Sequence, residues 1–599
     1  MTDAPLAQRG SALAAAVIGA ASVALGAGVG ELVAGVLAPA SSPFAVVGSA
    51  LIDLAPAWAK DAAIALFGTA DKLALLGGIL LVVVALGAAA GLLDVRWPPW
   101  GRVLVLALAA AGVVAALTRS DAGALSWVPS AVAGAVAAVA LWGLGRMLRS
   151  PLPEASRPLR APVAAHTATH KAVPSAVPAP TAVPAPTAVP TAVPAFTREE
   201  MVTREDASRR SDPRESPSPR ESTAGPAAPG AGLTPESTGA PRDPDRRRLF
   251  AWAGAAAAVG VLAAIGGTAL RAGTQVSAAV RRALRLPAPA VAAAPVPAGA
   301  ELGVLGLAPV VTPADHFYRI DTALIVPDIA PADWSLRIHG LVDREVVLTW
   351  DELLRLPLEE SWTTLVCVSN PVGGDLIGNA KWLGHPIRNL LERAGVRPNA
   401  DMVLSRSQDG FTASTPLEVL TDPDRAALLA VGMNDKPLPP EHGFPVRMVV
   451  PGLYGYVSAT KWVTELQVTR FDRATAYWTD RGWSAHGPVK LQSRIDVPRR
   501  GQGLSPGDAV IAGVAWQPHV GIERVEVQVD GGPWREATLA AAISDDTWVQ
   551  WSIPWTAEKG DHAIRCRATN ALGETQTSAD AWPAPDGATG WQQLNLTVA

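Results

Sequence analysis

Cys367 ends the run Ser361-Trp-Thr-Thr-Leu-Val-Cys367 and is one of only two cysteines in 599 residues. Leu365 and Val366 before it read as the end of a buried strand, and Pro371, Gly373 and Gly374 after it force an immediate turn. A thiol at a strand end, facing a loop whose glycines admit close approach, suits a metal ligand or a nucleophile. The same local pattern also fits a buried, inert cysteine. Further along stand His442, Arg447 and Lys461, with Ser458 and Thr460 beside the lysine and Asp409 in Ser407-Gln-Asp-Gly410. Singly, each has a plain structural reading: Lys461 at a strand end, His442 ordering a turn, Asp409-Gly410 as a turn pair.

Their order along the chain says more. Thr364-Leu-Val-Cys-Val-Ser-Asn370, His442-Gly-Phe-Pro-Val-Arg447, Val449-Val-Pro-Gly452 and Lys461-Trp462 follow one another. This series resembles the sulfite oxidase family of molybdopterin enzymes, over roughly residues 310–599. The resemblance implies that the Cys367 thiolate binds molybdenum, beside two dithiolene sulfurs and oxo groups. It also implies that Asn370, Asp409, His442, Arg447, Ser458, Thr460 and Lys461 contact the molybdopterin. The segment Asp315-His-Phe-Tyr-Arg-Ile-Asp321 resembles the family segment that edges pterin and substrate pocket. Phe317 and Tyr318 then count as pterin contacts, and Arg319 as a candidate catalytic residue that binds substrate. Arg481, in Trp478-Thr-Asp-Arg-Gly-Trp483, is a second such candidate.

The chain departs from the family where sulfite binds. Animal and plant sulfite oxidases surround the metal with arginines. One lies five residues after the cysteine, where this chain has Val372, and another lies near the C-terminal end, where this chain reads Gly587-Ala-Thr-Gly-Trp591-Gln. The family's pocket tyrosine has no equivalent in Trp478–Trp483. An anion stripped of its cationic partners loses most of its binding. We therefore expect oxygen-atom transfer on a small substrate, but not efficient sulfite oxidation. A sulfoxide reductase of the same fold is the alternative, and a non-catalytic surface protein is the rival from another class. No His-Pro-Gly-Gly haem segment is present, so a separate electron carrier, cytochrome or quinone, is expected.

Composition bounds the rest. Apolar residues make up 49% of the chain, with a mean hydropathy of +0.22, and they concentrate before residue 150. A net charge of −4 gives no argument for nucleic acid as a partner. Two distant cysteines exclude a CxxC zinc site, a four-cysteine iron–sulfur cluster and a disulfide framework. Cys566 reads as a core residue.

The elements that must position the site fall into blocks. Apolar runs at Leu13–Leu37, Leu73–Leu93, Val103–Leu117 and Val128–Leu148 lack the polar position per turn of a soluble helix, and the bilayer core asks for about 20 such residues. Residues 1–150 are thus read as a four-helix transmembrane region, with Ser49–Asp53 in the interface and Glu31 near a helix end. No histidine precedes His166, so this region cannot hold a haem between facing histidines. Residues 151–245 repeat Ala-Pro-Thr-Ala-Val-Pro and then mix Ser, Arg, Glu and Pro, which reads as a disordered linker. Residues 246–272 carry Arg246-Arg-Arg-Leu-Phe250 before a fifth apolar run, resembling a twin-arginine export signal. Arginines at positions 9, 96, 102, 146, 149, 157 and 160 outnumber Lys60, Lys72 and Arg119 in the other loops. By the positive-inside rule the N-terminus and linker are cytoplasmic and the catalytic domain is extracytoplasmic, on a multi-pass cell-membrane protein.

After a Pro/Ala stalk, residues 301–487 read as an α+β molybdopterin-binding domain. Strands are expected at 323–326, 335–339, 346–348, 363–366, 402–406 and 446–450, with helices at 350–354, 387–394 and 416–420. Residues 488–599 alternate apolar and polar between turns such as Asp530-Gly-Gly532, the pattern of an immunoglobulin-like β-sandwich. In the resembled family this module pairs two subunits, so a homodimer is expected.

Overall fold

The computed structural model describes residues 6–54, 71–119, 122–149, 244–273 and 276–599. The linker expected at 151–245 lies outside the described residues, apart from its last two positions. Among the described residues six helices form the first part: α1 (Leu6–Leu37), α2 (Pro43–Leu54), α3 (Asp71–Arg96), α4 (Trp100–Leu117), α5 (Val128–Arg149) and α6 (Pro244–Gly273). All but α2 are long and apolar enough to cross a membrane. Their outer faces leave Leu81, Val114, Val139 and Leu262 exposed, a surface that suits lipid rather than water.

Small residues set the helix packing. A Cβ on Gly28 of α1 would lie 1.9 Å from the Gly260 carbonyl of α6, and one on Gly35 2.6 Å from that of Gly267. Both helices repeat glycine at a spacing of seven, so the two backbones meet along a parallel seam. On other sides of α1, Gly19 meets Gly87 and Gly91 of α3, and Gly26 meets Ala133 and Ala137 of α5. Without a hydrophobic drive between helices in lipid, such close approach supplies the packing energy. α1 is therefore the helix on which α3, α5 and α6 assemble. Glu31, read from the sequence as near a helix end, is buried on α1. It accepts hydrogen bonds from the Ser42 hydroxyl at 2.6 Å and the Phe44 amide at 3.2 Å, and so caps the start of α2. At the opposite end of α3, buried Asp94 is clamped by Arg102 of α4 at 2.9 Å and Arg149 of α5 at 3.2 Å.

Residues 284–487 carry two sheets. The first is made of β1 (Ser335–Gly340), β2 (Val346–Thr349), β5 (Met402–Ser407), β6 (Thr412–Pro416) and β10 (Val463–Thr469), in the order β2-β1-β10-β5-β6. Only β1 and β10 run parallel. The second contains β3 (Glu359–Val366), β4 (Ile377–Pro386), β7 (Leu428–Met433) and β8 (Lys436–Pro437) in that order, with β9 (Arg447–Val449) also on β7. One core joins them, in which Leu336, Leu353, Leu391, Val431 and Val463 are inaccessible to solvent. The strand expected at 323–326 is instead an irregular segment. Its Leu324 packs against Gly48 of α2, so contact with the helices, not sheet pairing, uses its apolar side chains.

The last part holds two antiparallel four-stranded sheets. The first is ordered β11 (Gln492–Val497), β12 (Gly507–Trp516), β16 (Val549–Ala557), β15 (Thr538–Leu539). The second is ordered β14 (Arg535–Glu536), β13 (Ile522–Val529), β17 (Gly560–Asn570), β18 (Gln593–Val598). Ile511 and Trp551 of one and Val525 and Cys566 of the other share a core. Cys566 is fully buried and its sulfur accepts from Ser493 at 3.3 Å, the core role expected of it.

Candidate active site

Cys367 follows the last residue of β3. Its amide donates to the Leu376 carbonyl at 3.0 Å and its carbonyl accepts from the Asn370 amide at 3.1 Å, so the chain reverses at once. Asn370, expected as a pterin contact, uses its side-chain oxygen to accept from the Leu376 amide at 2.9 Å and pins this loop. Arg494 of β11 donates to the Gly374 carbonyl at 2.9 Å from the other side. Its charge is met by Asp496 at 2.6 Å, which makes it a strut rather than an anion receptor. Burial pushes the Cys367 thiol up, opposed by hydrogen bonds from Ser369. A free thiolate is therefore disfavoured here, whereas a bound cation would hold the sulfur deprotonated.

Two phenols stand beside this thiol. Tyr318 is raised far above its ordinary range by burial, and proximity to Cys367 raises it further. Tyr454 is pushed up to about 12 for the same two reasons. Its hydroxyl accepts from the Lys490 amide at 3.3 Å. Tyr454 escaped the sequence reading; it lies two residues beyond the quoted Val449-Val-Pro-Gly452. Both phenols are neutral near pH 7, able to donate a hydrogen bond but carrying no charge.

The cationic cradle assembles around Gly443, whose φ of +112° and lack of a side chain let Arg447 and Lys461 come together. A Cβ there would lie 2.9 Å from Arg447 Cβ and 3.2 Å from Lys461 Cβ. Arg447 is buried and donates to the carbonyls of Met448 at 3.2 Å, His442 at 3.1 Å and Ala459 at 3.5 Å. Its guanidinium lies 5.0 Å from the Trp382 ring. Three of five N–H groups are thus used on backbone, and burial lowers its pKa to about 10. Lys461 bonds Asp321 at 2.5 Å and the Glu441 carbonyl at 3.0 Å. Burial lowers its pKa to about 8, against the pull of Asp321. Trp462 next to it adopts a φ of +51°, a strain of roughly 1–3 kcal/mol, with its indole N–H on the Pro440 carbonyl at 2.9 Å. The strained residue fixes the direction in which Lys461 enters.

His442 packs edge-on against Phe317 at 5.6 Å, and its Nε2 lies 2.8 Å from the Ala314 carbonyl. Burial and then Arg447 lower its pKa to about 4. It is neutral near pH 7, so Nε2 donates to that carbonyl and Nδ1 is left as an acceptor. Asp409 is buried and its pKa is raised by that burial. Ser407 and the Phe411 amide oppose that rise by hydrogen bonding toward the carboxylate. Ser458 donates to its own helix carbonyls at Tyr454, 2.9 Å, and Leu453, 3.3 Å, while Thr460 pairs with Ser405 at 2.7 Å. Those partners account for both hydroxyls structurally.

The candidate substrate arginines lie apart. Arg319 pairs with Asp321 at 2.9 Å and joins the charge network of Lys461. Arg481 stacks on Tyr477 with its guanidinium carbon 3.6 Å from the ring centre, and lines a cavity whose walls do not include Cys367.

These features fit an anionic, heteroaromatic cofactor. A buried arginine bonded only to carbonyls, a buried lysine and an acceptor nitrogen together match phosphate oxygens and ring N–H groups. Among the described residues no group of three or more His, Cys, Asp or Glu is placed to hold a metal.

Comparison with known proteins agrees. Residues 323–478 match the oxidoreductase molybdopterin binding domain. Mitochondrial sulfite oxidase of Rattus norvegicus is 29% identical over 322 residues, which is 45% of this chain and 58% of that protein. This chain thus spans little more than half the length of that relative. The uncharacterized oxidoreductase YuiH of Bacillus subtilis is 34% identical over 154 residues, 26% of this chain and 74% of that protein. The sulfane dehydrogenase SoxCD of Paracoccus pantotrophus aligns at a TM-score of 0.43 and 25% identity, over 48% of this chain and 81% of that one, too partial a match to argue from. The thiol, the cradle and these matches converge: the chain is an oxidoreductase enzyme that uses a molybdenum cofactor, and it belongs to the sulfite oxidase family of molybdopterin-binding oxidoreductases.

Proposed function

We propose that this chain is a membrane-tethered oxidoreductase that transfers an oxygen atom to or from a small, uncharged substrate outside the cytoplasm. The observation that carries the substrate reading is the surroundings of Cys367: two neutral phenols, Tyr318 and Tyr454, and an arginine, Arg494, already neutralised by Asp496. When bound, the cofactor supplies two-electron oxygen-atom chemistry at molybdenum. The chain's own residues do the rest. Cys367 is the protein ligand, Arg447 and Lys461 hold the phosphate, and His442 Nδ1 and Asp409 accept or donate at the pterin edge. Phe317, Asn370, Ser458 and Thr460 shape the cradle. Tyr318 and Tyr454 orient a substrate oxygen by hydrogen bonding.

Each charge-assisted contact to an anion is worth roughly 1.5–3 kcal/mol, so lacking two weakens sulfite binding on the order of a hundredfold or more. The test is steady-state kinetics with sulfite and an artificial acceptor, beside neutral sulfoxides and an artificial donor. We expect sulfite to be turned over poorly. A sulfite kcat/KM within about 10⁴–10⁸ M⁻¹s⁻¹ overturns this reading and makes sulfite the substrate. Reduction of sulfoxides, the alternative direction, is favoured by the same uncharged surroundings.

The remaining parts of the reading follow the sequence. The arginine count supports a cytoplasmic linker, and Arg247-Arg248-Leu-Phe supports twin-arginine export of the folded domain. The strand orders β11-β12-β16-β15 and β14-β13-β17-β18 support the reading of an immunoglobulin-like sandwich that pairs two subunits.

A further inference from the structure

We propose that a cavity of about 900 Å³ between the membrane helices and the cofactor domain binds the headgroup of a membrane quinone, the electron carrier of this enzyme. The inference rests on the oxidoreductase reading and names its partner. Each wall mixes apolar and polar side chains. On the helix side Val36, Ala45, Val46 and Ala115 lie beside Ser49, Thr118 and Arg119, whose guanidinium donates to the Ser49 hydroxyl at 3.0 Å. On the domain side the apolar segment 323–327 lies beside Arg406, Asp409, Phe411, Tyr477 and Arg481. An occupant that uses both sets is apolar at one end and offers hydrogen-bond acceptors on a flat ring at the other. The Tyr477–Arg481 stack is a platform for such a ring, and a guanidinium beside it donates to a carbonyl oxygen.

Asp409 ties the cavity to the catalytic centre. It lines the cavity, and it is near enough to Asp321 and Lys461 of the cradle to feel their charges. Burial raises the proton affinity of its carboxyl, and its place on the wall shared by cavity and cradle suits it to exchange a proton with the headgroup. The helices themselves offer no electron route, since no histidine precedes His166 and a haem cannot be held there. A mobile carrier docked at the cofactor domain removes the need for one. The exchange balances as X + H₂O + quinone ⇌ XO + quinol. The X–O bond forms, both O–H bonds of water break, and the quinone takes two electrons and two protons. The reverse runs the reduction.

The experiment uses the full-length holoenzyme in lipid nanodiscs. A photoreactive azidoquinone should label peptides within 35–50, 115–119, 406–411 or 477–481, and excess unlabelled short-chain quinone should displace it. Ala50→Trp and Ala115→Phe, two half-buried lining positions, should each reduce labelling at least tenfold by filling the space. Cofactor absorbance, followed after anaerobic addition of short-chain quinol, should bleach in the native protein and slowly or not at all in either variant. Labelling elsewhere, labelling unchanged in both variants, or labelling by a photoreactive phospholipid in place of quinone overturns the proposal. If dithionite bleaches the cofactor while quinol does not, the oxidoreductase reading stands and the quinone proposal falls. If dithionite leaves the absorbance unchanged, the oxidoreductase reading itself is wrong, and the labelling still decides whether the cavity binds quinone.

Discussion

The charge state of Lys461 is the property of this site most open to measurement. Its pKa of about 8 leaves the charged form favoured at pH 7 by only about 1.4 kcal/mol. Asp321, 4% exposed, is what keeps it charged, against desolvation and the neighbouring Arg447 and Arg319. Stripping one partner from a buried pair ordinarily costs about 3–5 kcal/mol. In Asp321→Asn, Lys461 escapes by losing its proton, so the loss of its charge costs no more than about 1.4 kcal/mol. The half-exposed Arg319 pair adds about 0–1 kcal/mol. We therefore expect the cofactor-free variant to lose about 1–2.5 kcal/mol, not 3–5. Its cofactor affinity should fall more. A neutral amine forfeits a charge-assisted phosphate contact of about 1.5–3 kcal/mol, on the order of ten- to a hundredfold.

The pH dependence gives the sign. The folded pKa of Lys461 lies below its unfolded value of 10.5, so the unfolded chain binds more protons between about pH 8 and 10.5. Through this group, cofactor-free stability rises across that window, while cofactor retention falls as pH climbs past about 8. In Asp321→Asn the fall in retention begins at lower pH. The assay is molybdenum per chain after dialysis at pH 6, 7.5 and 9, beside thermal unfolding of the cofactor-free chain in detergent. Native-like molybdenum retention by the variant at all three values would falsify the role given to this pair.

Other perturbations test separate parts. Cys367→Ser should abolish turnover yet leave stability within about 1 kcal/mol, because the sulfur is held by loop geometry that serine can keep; native turnover in the variant removes Cys367 from the site. His442, at a folded pKa of about 4 against an ordinary 6.5, should make the cofactor-free fold lose about 3 kcal/mol as pH falls through that interval. His442→Gln should remove that part of the acid lability, and an unchanged acid limb in chemical denaturation contradicts the assignment. Gly260→Leu should disrupt the α1–α6 seam, where even a Cβ would lie 2.5 Å from the Ala24 carbonyl. Proteolysis of the detergent-solubilised protein should then release α6 with the catalytic domain more readily than in the native chain. Arg247→Lys with Arg248→Lys should stop export while preserving charge, and normal levels of the domain outside sink the twin-arginine reading.

The sequence made Cys367 legible because its neighbours obey local rules: a β-branched strand end, then Pro and Gly in a forced turn. The cradle was legible only through the order of its segments, since no local rule separates Lys461 or His442 from a structural residue. Tyr454 was missed because a tyrosine among apolar residues reads as core, and only the fold brings it beside Cys367. β4 was missed because Gly378, Asn379 and Lys381 contradict strand patterning. Asn379 is nevertheless buried, bonded to the Val310 carbonyl at 2.8 Å and the Thr364 hydroxyl at 3.1 Å. Residues 323–326 failed the other way, with apolar side chains committed to the helices by Leu324.

The placement of charge links these parts. Arg447 is buried with carbonyls as its hydrogen-bond partners, and a chain that folds around such a cation without an anion carries a desolvation penalty. A bound phosphate relieves it, so binding stabilises the fold by RT ln(1 + [L]/Kd) and the loaded domain is the more stable form. The same cations that select the cofactor therefore make its binding part of the stability of the fold. In this reading the strained Trp462, the small Gly443 and the bridging Asp321 serve one end: they hold Arg447 and Lys461 together against their repulsion until the anion arrives.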